Sequence, residues 1–204
     1  MKISSLVSLV CSLAIAGGNS FYHPVVAEEP PKFASPTEES SGDVSDNLVV
    51  IQRGEKYGYQ DRQGQEAIAA QFSNAYDFFE GLAAVRLNDK WGFINRWGEP
   101  IIPFQFDEAS SFSDGLAAVK IDDKWGFVDR QGAIAIAPSF DEAEPFAEGL
   151  AKVKIDHKYG FVDRQGRIKI EPKFDEVASF SDGVAWVRIG TGVGYINANG
   201  KFLQ

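Results

Sequence analysis

From residue 48 onward the chain alternates short apolar runs with polar turns, and the alternation itself recurs. In Leu116–Ile121 the alternate positions Ala117, Val119 and Ile121 are apolar. The same positions return as Ala83, Val85 and Leu87, as Ala151, Val153 and Ile155, and as Ala185, Val187 and Ile189. Between them Arg86, Lys120, Lys154 and Arg188 form a charged column, preceded by Ala84, Ala118, Lys152 and Trp186. An apolar residue at every second position, with the other face drifting toward charge, is the period of a half-buried strand. Asn88-Asp89, Asp122-Asp123 and Asp156-His157 follow as two-residue connections. Asn and Asp tolerate φ > 0, so these predict primed hairpin turns.

A second run, Trp125-Gly126-Phe127-Val128, is apolar on both alternations, which predicts a central strand covered on both sides. Gly58, Gly92, Gly126, Gly160 and Gly194 share one column in it. Glycine weakens a strand interior, so its recurrence there implies close approach of a ring or a neighbouring backbone. Asp129-Arg130-Gln131-Gly132 comes next, and Gly64, Gly98, Gly166 and Gly200 close the equivalent turns. That pattern predicts a type I turn with a left-handed glycine and a G1 bulge. The third run carries an isoleucine column at Ile68, Ile102, Ile136 and Ile170.

Together the three runs predict a three-stranded antiparallel meander, repeated at Lys90, Lys124 and Lys158 with a period of 34 residues. Second strands are expected to start near residues 57, 91, 125, 159 and 193, the last in a truncated unit. Two phenylalanine columns fill the return segments: Phe72, Phe106, Phe140 and Phe174, then Phe78, Phe112, Phe146 and Phe180. A lone meander cannot bury its face, so these rings are expected to wedge between successive units. The fold class is therefore all-β, in an open, solenoid-like array; a small propeller-like closed ring is the alternative. The degenerate end units favour the open form, because Arg53, Glu66 and Val193 depart from apolar or aromatic columns as caps do. Tetratricopeptide hairpins share the period, but fixed glycines and the absence of a 3.6-residue stripe oppose helices.

The run Lys-Trp-Gly-Phe-Ile/Val-Asp/Asn-x-x-Gly, with Phe-Asp-x-Ala and Gly-Leu-Ala-x-Val downstream, resembles the WG (KWG) β-repeat family of bacterial proteins. The resemblance covers residues 48–204 and implies an all-β repeat array without a shared catalytic site. Tyr57 and Tyr159 stand where the pattern has Trp, and Val193 loses the aromatic.

The N-terminus reads differently. Lys2 precedes an apolar stretch from Ile3 to Ala16, and Val25-Val26-Ala27 offers a cleavage point, so residues 1–27 are expected to be a signal peptide. A cut after Ala16 is the alternative. Export would place the protein in the periplasm or outside the cell; the apolar stretch is too short for a membrane span, and none is expected in the mature chain. Cys11 lies inside it, so the mature protein would hold no thiol. Residues 28–47 are rich in Glu, Pro and Ser, which predicts a disordered linker ahead of the repeat domain at 48–204.

Candidate chemistry is sparse. A formal charge of −9 opposes nucleic-acid binding, which needs a basic face. His157 sits at a hairpin tip whose siblings are Asp89 and Asp123, so it reads as a solvated turn residue. Asp107-Glu108, Asp141-Glu142 and Asp175-Glu176 recur in phase, with Glu80, Asp114, Glu148 and Asp182 before a glycine of each unit. A catalytic pair needs one distinct environment, whereas these are repeated, so turn and capping roles are expected. Trp97 and Trp186 break their columns and are the candidate partner-binding residues. The expectation is a monomeric, non-catalytic module, with no cofactor or metal, that binds or scaffolds a protein or glycan partner. The alternative is an envelope carbohydrate-directed enzyme or a Ca²⁺-binding module using the repeated carboxylates. The strand reading has a direct check in unfolding measurements. Val119→Ala should destabilise by about 1–3 kcal/mol, and Lys120→Ala should be nearly neutral; similar effects would mean the faces are wrongly assigned.

Overall fold

The computed structural model describes residues 48–203, all strand, bridge, turn or loop with no helix among them. The signal-peptide and linker readings lie outside the described residues. Five antiparallel sheets follow one another along the chain. The first joins β1 (Val49–Arg53), β2 (Lys56–Gln60) and β3 (Glu66–Phe72). The second joins β4 (Asn74–Ala75), β5 (Ala83–Leu87), β6 (Lys90–Ile94) and β7 (Pro100–Phe106). The third has β8 (Glu108–Ala109), β9 (Leu116–Ile121), β10 (Lys124–Asp129) and β11 (Ile134–Phe140). The fourth has β12 (Glu142–Ala147), β13 (Leu150–Ile155), β14 (Lys158–Asp163) and β15 (Ile168–Phe174). The fifth has β16 (Glu176–Val177), β17 (Val184–Ile189) and β18 (Gly192–Asn197).

The three inner meanders each gain a strand over the expected three, while the first keeps three. The return segment does not merely cross between units: its start pairs with the next first strand, as Glu108↔Lys120 and Ala109↔Val119 show. The fifth unit is reduced instead, its third strand surviving only as the bridge Ile196↔Phe202.

The first strands are not simply half-buried. Leu116, Ala117, Ala118 and Val119 are all buried, and only Lys120 and Ile121 approach solvent. The reason is that the two faces of a sheet enter two different cores. Ala117, Val119 and Val128 pack with Phe93, Ile102 and Phe106 of the preceding sheet. Leu116, Ala118, Phe127 and Ile136 pack with Phe146, Ala151, Val153 and Val162 of the following one. The remaining two cores repeat this arrangement between the first and second sheets and between the fourth and fifth. Among the described residues every core joins successive sheets, and none joins the first to the fifth. The array is open. Its last sheet leaves Val193 and Tyr195 exposed, 64% and 54%, where the equivalent Phe127 of an inner unit is fully covered.

The phenylalanine wedges form as predicted. Phe93–Phe112, Phe127–Phe146 and Phe161–Phe180 each meet at 4.8 Å between ring centroids, and Tyr59–Phe78 repeats that distance in the first interface. A buried aromatic pair adds about 0.5–1.5 kcal/mol beyond its area. The wedges therefore carry much of the adhesion between units.

Both glycine columns have a steric cause. Trp125 pairs with Phe140 and Phe127 with Ile136, so Gly126 alone faces three residues of β11. A Cβ at Gly126 would lie 2.6 Å from the Ile136 carbonyl oxygen and 2.7 Å from the Pro138 nitrogen. The turn glycine Gly132 sits at φ 83°, donates to the Asp129 carbonyl at 2.9 Å, and closes the predicted bulged turn. The hairpin pairs Asp122-Asp123 (φ 48° and 65°) and Asp156-His157 (φ 48° and 66°) adopt the primed geometry. Gly126→Ala should cost on the order of 2–4 kcal/mol, because backbone must move, and Gly132→Ala about 1–2 kcal/mol for the left-handed conformation. Chemical denaturation of the two variants checks the order; a milder effect at Gly126 would contradict the close-approach reading.

Candidate functional site

The charged columns follow from the strand register. Lys90, Lys124 and Lys158 open the second strands and donate to Asp107, Asp141 and Asp175 at 2.6, 2.6 and 2.5 Å. Lys120 and Lys154 reach Glu108 and Glu142 across the short-strand pairing at 3.0 and 2.6 Å, and Arg188 reaches Glu176 at 2.5 Å. The acids that precede glycine have positive φ, and three of the four reach the next unit. Glu80, Asp114 and Glu148 accept from the backbone N–H of Gly115, Gly149 and Gly183. The predicted turn and capping roles are what these carboxylates perform in the inner units, where each of those named here is engaged within the repeat.

An apolar concavity on a face of the array lies along the return segments. It is a groove of about 510 Å³, lined by Tyr76 and Phe79 of the second unit, Ser110 and Trp125 of the third, and Pro145 of the fourth. Glu108 is its single charged lining residue. The register of the sheets sets the groove out. The N–H of Tyr76 donates to the Ala84 carbonyl and the N–H of Ser110 to that of Ala118, so the backbone runs alike in both units. The side chains differ. Tyr76 stacks on Trp91 with centroids 5.1 Å apart and planes 15° from parallel. The Ser110 hydroxyl turns back to its own chain, donating to Ser111 O at 3.1 Å and accepting from Ala118 N at 3.0 Å. Trp91 is consequently buried at 6% exposure, whereas Trp125 stays half-open. Tyr59 supports this wall from beneath: its fully buried hydroxyl donates to the Tyr76 carbonyl at 2.7 Å. Burial, with Asp77 adding to it, pushes the Tyr59 hydroxyl far above the ordinary tyrosine range.

The two tryptophans that stood out in the sequence lie elsewhere. Trp97 is exposed in the turn between β6 and β7, with the Arg96 guanidinium 4.4 Å over its ring. Trp186 lies on β17 of the last sheet, in register with Tyr195. Neither lines the groove. Tyr76 and Ser110 escaped notice because a column with Tyr76, Ser110, Glu144 and Ala178 looks merely variable. His157 is exposed at its hairpin tip.

The family model for the WG containing repeat matches residues 57–91, 91–125, 125–159 and 159–190. The chain belongs to the WG-repeat family. No curated protein matches it. Among solved structures it is similar to a eukaryotic initiation factor, with a TM-score of 0.52 and 12% identity over 78% of this chain and 51% of that one. The chain spans about half the length of that structure, and the likeness is one of fold alone. A protein of unknown function from Bacteroides caccae is a looser match, with a TM-score of 0.38 and 16% identity over 78% of this chain and 77% of that one. A plant lectin with two metal binding sites from Cicer arietinum is looser still, at 0.29 and 13% identity over 60% and 84%.

The ion pairs set an acid response. Asp107, Asp141 and Asp175 are held below the ordinary aspartate range, first by the hydrogen bonds from Lys90, Lys124 and Lys158. A carboxyl depressed in the folded state binds fewer protons folded than unfolded. Its contribution is present above the unfolded value of about 3.9 and is lost as pH falls through the folded value. Asp141→Asn should therefore flatten the fall in melting temperature between about pH 5 and pH 2. At neutral pH the same variant should melt slightly below the parent, by the same amount that its acid limb is flattened, a small one because exposed pairs contribute little. An unaltered acid limb in the variant would remove this pair from the response.

Proposed function

We propose that the protein is an exported, monomeric, non-catalytic repeat module that binds or scaffolds a protein or glycan partner in the cell envelope or outside it. The observation that carries the reading is the groove spanning three units, walled by Tyr76, Phe79 and Trp125 with one aromatic face open. A concave apolar surface with a few polar groups is the usual form of a binding site, and repeat arrays present extended surfaces of this kind. Support for a non-catalytic role comes from the carboxylate columns. Their oxygens already meet lysine, arginine or backbone N–H groups in every inner unit. For the same reason no observation favours the carbohydrate-directed enzyme or Ca²⁺-binding reading. Export rests on the sequence of residues 1–27, with the mature chain beginning near Glu28. Trp97 and Trp186 are kept as secondary contacts on other faces of the array.

The test compares the full chain with Phe79→Asp as baits in envelope and medium fractions. Phe79 is 52% exposed on the groove rim, so the variant should fold normally. A species retained by the parent and lost from Phe79→Asp is the expected result. Retention of the same set by both baits would overturn the groove as the binding surface, and glycan hydrolysis by the pure protein would overturn the non-catalytic reading. N-terminal sequencing of the native protein should find the cut near Glu28; an intact Met1 would contradict export.

A further inference from the structure

Three successive units meet the same problem, an aromatic ring at the start of the second strand, and solve it differently. Over Trp91 the chain lays its own Tyr76, nearly parallel at 5.1 Å. Over Tyr159 it lays cations: Lys154 Nζ stands 5.0 Å and Lys152 Nζ 5.5 Å from the ring centroid, the latter anchored by an ion pair with Glu144. Tyr76, Ser110 and Glu144 are equivalent positions one repeat apart, as are Trp91, Trp125 and Tyr159. Among the described residues, of these three rings only Trp125 has no aromatic or cationic side chain stacked on it, and the short Ser110 is hydrogen-bonded to Ser111 and Ala118 instead. The space left is the groove itself.

We infer that the groove takes an aromatic side chain of a partner polypeptide, a tyrosine or phenylalanine, stacked on Trp125 in the place that Tyr76 fills over Trp91. This rests on the binding-module reading above and names its ligand. The unit carrying Tyr76 is an internal demonstration of fit. The backbone hydrogen bonding of the two units is alike, the tryptophan is the same, and the seated group is a flat phenol ring. Offset-parallel aromatic stacking is favourable at such separations, and rigid aromatic anchors in partly desolvated pockets dominate many protein interfaces. The walls suit the rest of a peptide: Pro145 and Phe79 are apolar, while Ser111 offers a hydroxyl to its backbone. Charge narrows the partner further. The groove's single charged lining group, Glu108, is already paired with Lys120, and the chain carries a formal charge of −9, so the overall field leaves neutral or basic residues to flank the ring.

The experiment follows the indole N–H resonances of the full chain by NMR. The probes are a capped Gly-Lys-Tyr-Gly-Lys peptide, its counterpart with Ala for Tyr, and a linear N-acetylglucosamine hexamer. The tyrosine peptide should shift the Trp125 indole saturably and leave Trp97 and Trp186 unmoved, while the alanine peptide does nothing. Ser110→Tyr should fill the groove from within, weaken the peptide by more than about tenfold, which is 1.4 kcal/mol, and gain a tyrosine–tryptophan signature in near-ultraviolet circular dichroism. If Ser110→Tyr fails to fold, Phe79→Asp gives the same loss from the rim. Equal shifts with the alanine peptide, or full binding by a folded Ser110→Tyr, would overturn the inference. So would a shift with the sugar alone, an outcome that leaves the binding-module reading standing. Silence from every probe overturns the aromatic ligand, while the bait comparison still decides the module reading separately.

Discussion

The structure depends on one constraint: a sheet of three or four strands has two faces and no core of its own. Each sheet must lend one face to the unit before it and the other to the unit after it. Phe127 shows the solution. It is fully buried, it sits at the centre of β10, and its ring meets Phe146 of the next unit at 4.8 Å. Burying such a side chain contributes about 1.5–3 kcal/mol, so neighbours hold each other and no sheet is expected to persist alone. Gly126 belongs to the same device. Without a Cβ it lets the bulged β11 close over the strand, bringing Ile136 and Phe140 into the core beside Phe127.

Polar contacts follow the same one-unit step. The carboxylates of Asp114 and Glu148 bond the backbone of Gly149 and Gly183 in the following unit, and Ser113 donates to the Phe146 carbonyl at 2.7 Å. These bonds tie successive units together at the return-segment edge, beside the aromatic packing. Coupling of this nearest-neighbour kind makes each interface a nearly separate contribution to stability. It also frees single positions to vary, since a change in one column is felt only by the adjoining units. Tyr76, Ser110 and Lys152 are such changes, and together they turn a uniform edge into one with a single open ring face.

Most of the local structure was legible in the residues because its causes are local. Alternation at Ala117, Val119 and Ile121 marks a strand whatever covers it. Asp122-Asp123 and Gly132 mark turns because few residues accept their φ values. The glycine at 126 announced a close approach, since nothing else accounts for a recurrent glycine within a strand. The repeat itself announced an array, and the odd end units pointed to an open one.

What the sequence could not determine was decided by contacts between distant columns. Whether Glu108 and Ala109 join a sheet depends on the reach of the preceding turn, so the fourth strand was hidden. Burial of both faces of β9 was hidden too, because Ala118 is small enough to suit water or a neighbour equally well. The groove lay deepest of all. Trp97 and Trp186 drew attention as singletons, while Trp125 looked like any other member of a regular column. Its open face exists because residue 110 lies across from residue 125 in space. The sequence lists both, but only packing of the return segment against the second strand brings them together.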